Sequence, residues 1–150
     1  MIAVIRPDAW NFPLFLHVAG AMLLVGALVV VVATTAAALR GGDGTEALSG
    51  LAFRTLLIGV LPAYVLMRVG AEWIASESGV PDDVDWIGIG YAVADGGLLL
   101  TIIAAVLAWR AKRRAAAGPG GLGRGVLGLA AVLLVAYGVA IWAMTAKPGF

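Results

Sequence analysis

Four long runs of apolar residues alternate with short polar segments along this chain of 150 residues. The runs cover residues 12–39, 51–74, 86–109 and 126–145, and each reaches the roughly 20 residues that an α-helix needs to cross the hydrocarbon core of a bilayer. No segment alternates apolar and polar residues with the period of two that predicts a β-strand. The pattern therefore predicts an all-α integral membrane protein, in which four transmembrane helices form one domain as an antiparallel bundle.

Local signals mark the ends of these spans and one interior point. Asn11 and Pro13 are typical of the first turn of a helix. Trp86 and Trp109 bracket the third span, as aromatic residues at the two membrane interfaces do. Pro62 lies inside the second span, where it predicts a kink and a backbone carbonyl that lacks its usual N–H partner.

Composition agrees with a membrane location. The chain has 62% hydrophobic and 13% charged residues, with a mean hydropathy of +1.01, which leaves too little polar surface to cover a water-soluble domain. It has no cysteine, which excludes disulfides, thiolate metal sites and cysteine nucleophiles. Arginine outnumbers lysine, and alanine, glycine and valine are abundant, as in proteins of GC-rich genomes. We therefore expect a bacterial protein of the inner (cytoplasmic) membrane.

The connections between the spans differ in charge, and this difference predicts the orientation. Basic residues flank the first connection and fill the third, at Arg40, Arg54, Arg110, Lys112, Arg113, Arg114 and Arg124. The second connection, residues 77–85, is acidic and has no basic residue. By the positive-inside rule the first and third connections are cytoplasmic, so both termini face outward, N-out/C-out.

The third connection suggests a lipid partner. We expect Arg110, Lys112, Arg113 and Arg114 to bind anionic lipid headgroups and not nucleic acid, because they follow a span directly. The glycine-rich residues 115–125 are predicted to be a linker. They match G-x-G-x-x-G, but no strand precedes them, so they do not predict a dinucleotide site.

Polar side chains recur at helical spacing in the outer half of the second and third spans. Tyr64, Arg68 and Glu72 share one face of the second helix, and Tyr91 and Asp95 share one face of the third. An ionisable side chain near the bilayer centre costs roughly 3 kcal/mol even on the mildest scales, so it needs a partner, water or a substrate. We predict an ion pair between Arg68 and Asp95 with the other three residues as neighbours.

Two interpretations of these five residues stay open. In the first they form an outward-open polar cavity that binds or conducts a proton, an ion or a small ligand. In the second they are purely structural: Arg68 pairs with Glu72 along its own helix, and a protonated Asp95 bonds the carbonyl freed by the proline. The inner half of the spans holds mainly threonines that can hydrogen-bond their own helix backbone, at Thr34, Thr35, Thr55 and Thr101.

The single histidine, His17, lies near the outer end of the first span. Small and aliphatic residues share its helical face, namely Gly20, Ala21 and Leu24. Such a flank suits either a close helix crossing or a bulky planar cofactor. His17 is therefore predicted to be a hydrogen-bonded packing residue or, alternatively, an axial ligand of haem b, with Met67, Met144 or a second subunit as the other ligand. One histidine without cysteine does not supply a zinc site.

The segment Leu16-His17-Val18-Ala19-Gly20-Ala21-Met22-Leu23-Leu24-Val25-Gly26 resembles the histidine-containing first helix of small bacterial multi-helix membrane families. These are the copper-resistance D domain type, related uncharacterised integral membrane proteins, and the bacterial membrane protoporphyrinogen oxidase. The resemblance covers residues 16–26. Its similarity to the oxidase implies a haem-binding role for His17.

Three classes of function follow from these patterns. The preferred one is a small binding or permeation protein that uses the polar residues around Asp95. The alternatives are a haem-binding redox protein that uses His17, and an accessory or assembly subunit of a membrane complex. No catalytic residues are predicted, and a non-enzymatic role is favoured. Glycine-rich faces on the first and third helices favour a homo-oligomer or a larger complex in each case.

Overall fold

The structure, a computed structural model, describes residues 8–79, 84–115 and 120–146, and these are helical almost throughout, without a strand. Its elements are a 3-10 turn at Asp8–Trp10, α1 at Asn11–Ala38, α2 at Thr45–Thr55, a π-helical turn at Leu56–Val60, α3 at Leu61–Ser78, α4 at Asp85–Arg113 and α5 at Gly121–Ala146. The predicted all-α class is confirmed.

Four helical stretches are long and apolar enough to cross a membrane: Asp8–Ala38, Thr45–Ser78, Asp85–Arg113 and Gly121–Ala146. In each stretch at most 39% of the most apolar 18-residue window is buried by the rest of the chain. The remaining apolar surface is far larger than water-soluble proteins expose, so it requires an apolar solvent. The protein is therefore a multi-pass membrane protein.

The second span is irregular directly before Pro62. Proline lacks an N–H group, and its ring collides with the carbonyl four residues earlier in a regular α-helix. Here the π-helical turn Leu56–Val60 stands directly before it, and the Leu61 N–H donates to the Leu56 carbonyl five residues back. The wider turn accommodates the proline without ending the helix.

The helices pack unevenly against one another. Helix α1 packs along α3, and α4 packs along α5, whereas α3 and α4 make few contacts with each other. Two glycines allow the close crossing of α1 and α3. A Cβ atom added to Gly20 would lie 2.9 Å from the Ala63 carbonyl oxygen, and one added to Gly70 would lie 2.8 Å from the His17 Cα atom. The surface between α3 and α4 is hereafter called the α3–α4 seam.

Part of the predicted linker is helical. Residues 121–125 were expected to be flexible because of their glycines, but α5 begins at Gly121. The glycines allow close packing: a Cβ on Gly123 would lie 3.0 Å from Leu39 Cδ2, and one on Gly125 would lie 3.2 Å from Leu107 Cδ1. Packing thus outweighs the low helix propensity of glycine. Linker residues 116–119 lie outside the described residues, as do Asp82 and Asp83 of the acidic connection.

Candidate functional site

The predicted polar residues meet at the α3–α4 seam. Arg68 Nη2 lies 3.3 Å from Asp95 Oδ1 and 3.1 Å from Glu72 Oε1. The predicted Arg68–Asp95 ion pair is confirmed. The intrahelical pair of Arg68 with Glu72 is present at the same time, because one guanidinium nitrogen serves both carboxylates. We call Arg68, Glu72, Tyr91 and Asp95 the seam cluster.

Tyr91 binds to both of its charged neighbours from α3. Its ring centroid lies 4.5 Å from Arg68 Cζ, which is a cation–π contact. Its hydroxyl donates to Glu72 Oε2 at 3.3 Å. A single tyrosine of α4 therefore contacts the acid and the base of α3, and it helps to hold the loosely packed seam together.

Equal depth explains why Arg68 and Asp95 meet. Asp95 lies ten residues after the first residue of α4, and Arg68 lies ten residues before the last residue of α3. At about 1.5 Å per residue both lie about 15 Å from the same end of their helices. The periodicity of each helix determines which face carries the charged side chain. The common distance from the helix ends brings the two side chains to the same level.

The cluster is less enclosed than an outward-open cavity would require. The side chain of Asp95 is 67% exposed and that of Glu72 is 51% exposed, whereas that of Arg68 is 27% exposed. The two carboxylates therefore lie on the outer surface of the seam. Beside them Gly96 is open, since no atom lies within 4 Å of an added Cβ.

Two buried tyrosines lie close to the cluster. Tyr64, the fifth predicted residue, is buried and lies one helical turn before Arg68 on α3. Tyr137 of α5 is also buried, and its hydroxyl has no hydrogen-bond partner in the described part of the chain. The Tyr137 hydroxyl occupies the space beside Gly97.

Reasoning from the sequence missed Tyr137. It stands alone among apolar and small residues of α5, so no polar stripe marks its face. The one available signal is Gly97, because a glycine inside a helix often leaves room for a large side chain of a neighbour.

His17 lies at the crossing of α1 and α3. Its Nδ1 atom is 3.0 Å from the Met67 carbonyl oxygen. Because a carbonyl only accepts, this bond requires a proton on Nδ1. The flank beside the imidazole is filled: the backbone of α3 packs on Gly20, and Leu24 is fully buried. A haem on this flank does not fit, and the packing interpretation of His17 is favoured.

The two candidate methionine ligands have different surroundings. Met67 offers its backbone carbonyl to the imidazole, whereas the Met144 side chain packs against Gly90 of α4. Within the described residues no group of three histidine, aspartate or glutamate side chains could hold a metal ion.

The four basic residues at the end of α4 have different surroundings. Arg113 Cζ lies 4.3 Å from the Trp109 ring centroid, and Lys112 Nζ lies 5.8 Å from that of Phe53. Arg110 and Arg114 are both exposed, and Arg114 also lines a cavity between helix ends. They are therefore not equivalent contacts for a headgroup.

No protein-family model matches this chain, and no curated protein or solved structure matches it significantly. The resemblance of residues 16–26 to histidine-containing membrane families stays a prediction.

Proposed function

We propose that the protein is an antiparallel four-helix bundle, N-out/C-out, in a bacterial inner membrane, and that its seam cluster reversibly binds a proton. The observation that carries this proposal is the count of charges: one guanidinium is shared by two carboxylates. With both acids ionised the cluster has a net charge of −1 at membrane depth, which is costly. One bound proton makes it neutral.

A proton suits this geometry better than a metal ion does. The Arg68 guanidinium already lies within 3.3 Å of both carboxylates and would repel a second cation there. The proton belongs to the pair Glu72 and Asp95 and not to one of them, because the two acids interact through the same arginine. Neither carboxylate is enclosed by the rest of the chain, so a proton reaches them without crossing the packed interior.

The buried tyrosines do not extend the site toward the core. Tyr64 lies one helical turn before Arg68, and both Tyr64 and Tyr137 are buried. The Tyr137 hydroxyl has no hydrogen-bond partner among the described residues, so no chain of hydrogen bonds leads inward through it. The proposal is therefore of proton binding and not of conduction.

Infrared spectroscopy of the protein in lipid vesicles tests the proposal. We expect a carboxylic acid C=O band at neutral pH that disappears as the pH is raised. Asp95→Asn and Glu72→Gln should each remove the band, because each leaves one carboxylate against one guanidinium and no need for a proton. Asp43→Asn, in the exposed α1–α2 connection, is the matched control and should keep it. A wild-type protein without the band contradicts the proposal.

A second candidate is an accessory subunit, and the exposure of Asp95 favours it. An ionised carboxylate facing lipid would be covered if a partner helix lay on the α3–α4 seam. Gly88 and Gly96 of α4 have no atom within 4 Å of an added Cβ, so they leave room for close approach. In this case Asp95→Asn should change the oligomer seen by native mass spectrometry, and the infrared band should be absent from the wild type.

A further inference from the structure

One face of α4 is left uncovered by the rest of the described chain. Its exposed residues recur at alternating intervals of four and three, at Gly88, Ala92, Asp95, Leu99, Ile102 and Val106. We call these six residues the α4 face. Their spacing is the period of 3.5 residues with which two helices pack side by side as a left-handed pair. The α4 face therefore has the form of a helix–helix contact.

Asp95 distinguishes the α4 face from the other exposed surfaces of the bundle. Its side chain is 67% exposed, about 15 Å along the helix, whereas the exposed residues in the middle of α1 and α5 carry no charge. A carboxylate at this depth is costly where it faces lipid, and lipid chains offer it no hydrogen bond. The α4 face is thus more stable when Asp95 is neutral and covered.

The glycines of α4 divide between the interior and this face. Two of them, Gly90 and Gly97, are filled by side chains of α5. Gly88 and Gly96 have no atom within 4 Å of an added Cβ. Small residues allow the backbones of membrane helices to approach each other closely. A second helix can therefore approach α4 on both sides of Asp95.

Few charged or titratable groups surround Asp95. They are Arg68, Glu72 and Tyr64 of α3, Tyr91 of α4 and Tyr137 of α5. The charged residues of α2 and Arg124 of α5 lie at the opposite end of the bundle. One guanidinium thus faces two carboxylates, and one proton per copy makes the cluster neutral. Without that proton, two copies would bring two net negative charges together and repel each other.

We propose that a second copy of this chain docks on the α4 face when the seam cluster holds its proton; this rests on the proposed proton binding. A protonated carboxyl group both donates and accepts hydrogen bonds, so two copies of Asp95 complement each other. A cationic partner is disfavoured, because Arg68 already lies there. All copies insert in one orientation under the positive-inside rule, so a parallel pair brings each Asp95 to the depth of the other. Loss of the proton separates the copies.

Fluorescence energy transfer between copies in lipid vesicles measures docking. Glu77→Cys, near the end of α3, carries the donor or acceptor dye, because the chain has no other cysteine. We expect the association constant to fall about tenfold or more per unit of rising pH, in the range where the infrared band disappears, since each copy loses a proton. With Asp95→Asn or Glu72→Gln added, the transfer should persist at every pH, because the cluster is then neutral without a proton.

Ala92→Phe tests the face itself. A phenyl ring about one turn before Asp95 keeps two α4 helices apart, so the transfer should be lost at every pH. Val135→Phe, on the exposed side of α5, is the matched control and should keep it. The infrared band should persist in both variants, which verifies that the fold and the cluster are intact.

The two readouts separate the two proposals. A wild-type band without energy transfer overturns docking and leaves proton binding intact, whereas a wild type without the band contradicts proton binding. Equal transfer in Ala92→Phe and Val135→Phe overturns docking on the α4 face. Wild-type transfer that does not change with pH overturns its dependence on the proton.

Discussion

Arg68 differs in electrostatic role from the two carboxylates that it contacts. Removing either acid leaves one positive and one negative charge, so the cluster becomes neutral without a proton. Removing the arginine leaves two carboxylates facing each other at membrane depth. The three residues are therefore not interchangeable members of one network, although all are joined through Arg68 Nη2.

This asymmetry predicts an order of stability. We expect Arg68→Gln to lower the free energy of unfolding by at least about 1 kcal/mol, because it leaves charged groups without a counter-charge. Asp95→Asn and Glu72→Gln should change it less. Denaturant unfolding in detergent micelles measures all three. An Arg68→Gln protein as stable as Asp95→Asn would show that the arginine does not neutralise the cluster.

The periodicity of the sequence was enough to predict which side chains of the cluster lie together. Spacings of four residues place Arg68 with Glu72 and Tyr91 with Asp95, and equal depth pairs the two helices. The exposure of Asp95 could not be predicted, because it depends on the loose packing of α3 against α4. The hydroxyls of Thr35 and Tyr137, which have no hydrogen-bond partner among the described residues, could not be predicted either. Their burial depends on how α1 and α5 are rotated, and the pattern of an apolar helix does not encode that rotation.

At the level of elements, the closest contact is the crossing of α1 and α3. Both backbones approach at a glycine of the opposite helix, Gly20 and Gly70, and His17 adds its hydrogen bond to the Met67 carbonyl. Helix association in membranes relies on such close packing, because lipid removes the hydrophobic driving force.

Gly20→Ala should therefore destabilise the protein. The added methyl would meet the backbone of Met67, which cannot move without shifting α3, so we expect a loss of about 1–3 kcal/mol. Gly26→Ala on the same helix is the matched control: nothing lies within 4 Å there, and alanine gains up to about 1 kcal/mol in helix propensity. Unfolding in micelles compares the two. Equal stability of the variants would mean that α1 and α3 do not cross at Gly20.

Helix ends were harder to predict than helix interiors. The apolar pattern placed the fourth span at residues 126–145, yet α5 begins five residues earlier, at Gly121. Hydropathy indicates the part of a helix that lies in the hydrocarbon core. The helix itself continues further where its residues pack against neighbouring helices. Arg113 likewise remains in α4, because its guanidinium packs on Trp109.

The whole molecule has two chemically different ends. One carries the basic residues that flank the first connection and fill the third, and the other half carries the seam cluster and His17. Under the proposed orientation the first end faces the cytoplasm, where the positive-inside rule places basic connections.

The absence of cysteine allows a direct test of this orientation. Asp43→Cys lies in the α1–α2 connection and Glu77→Cys near the end of α3, both exposed. In spheroplasts a membrane-impermeant maleimide should label Glu77→Cys at once and Asp43→Cys only after permeabilisation. The wild-type chain is the unlabelled control, and the reverse labelling pattern would invert the proposed topology.

The π-helical turn before Pro62 sets how α3, the part of the second span that follows it, is rotated about the helix axis. A π-helical hydrogen bond encloses one residue more than an α-helical one. Deleting one residue from Leu56–Val60 would turn α3 by about 100° relative to α2. The Arg68 side chain would then leave Asp95, and Gly70 would leave α1. The pairing of Arg68 with Asp95 thus depends on a single inserted residue in a turn that ends eight residues, or about two helical turns, before Arg68.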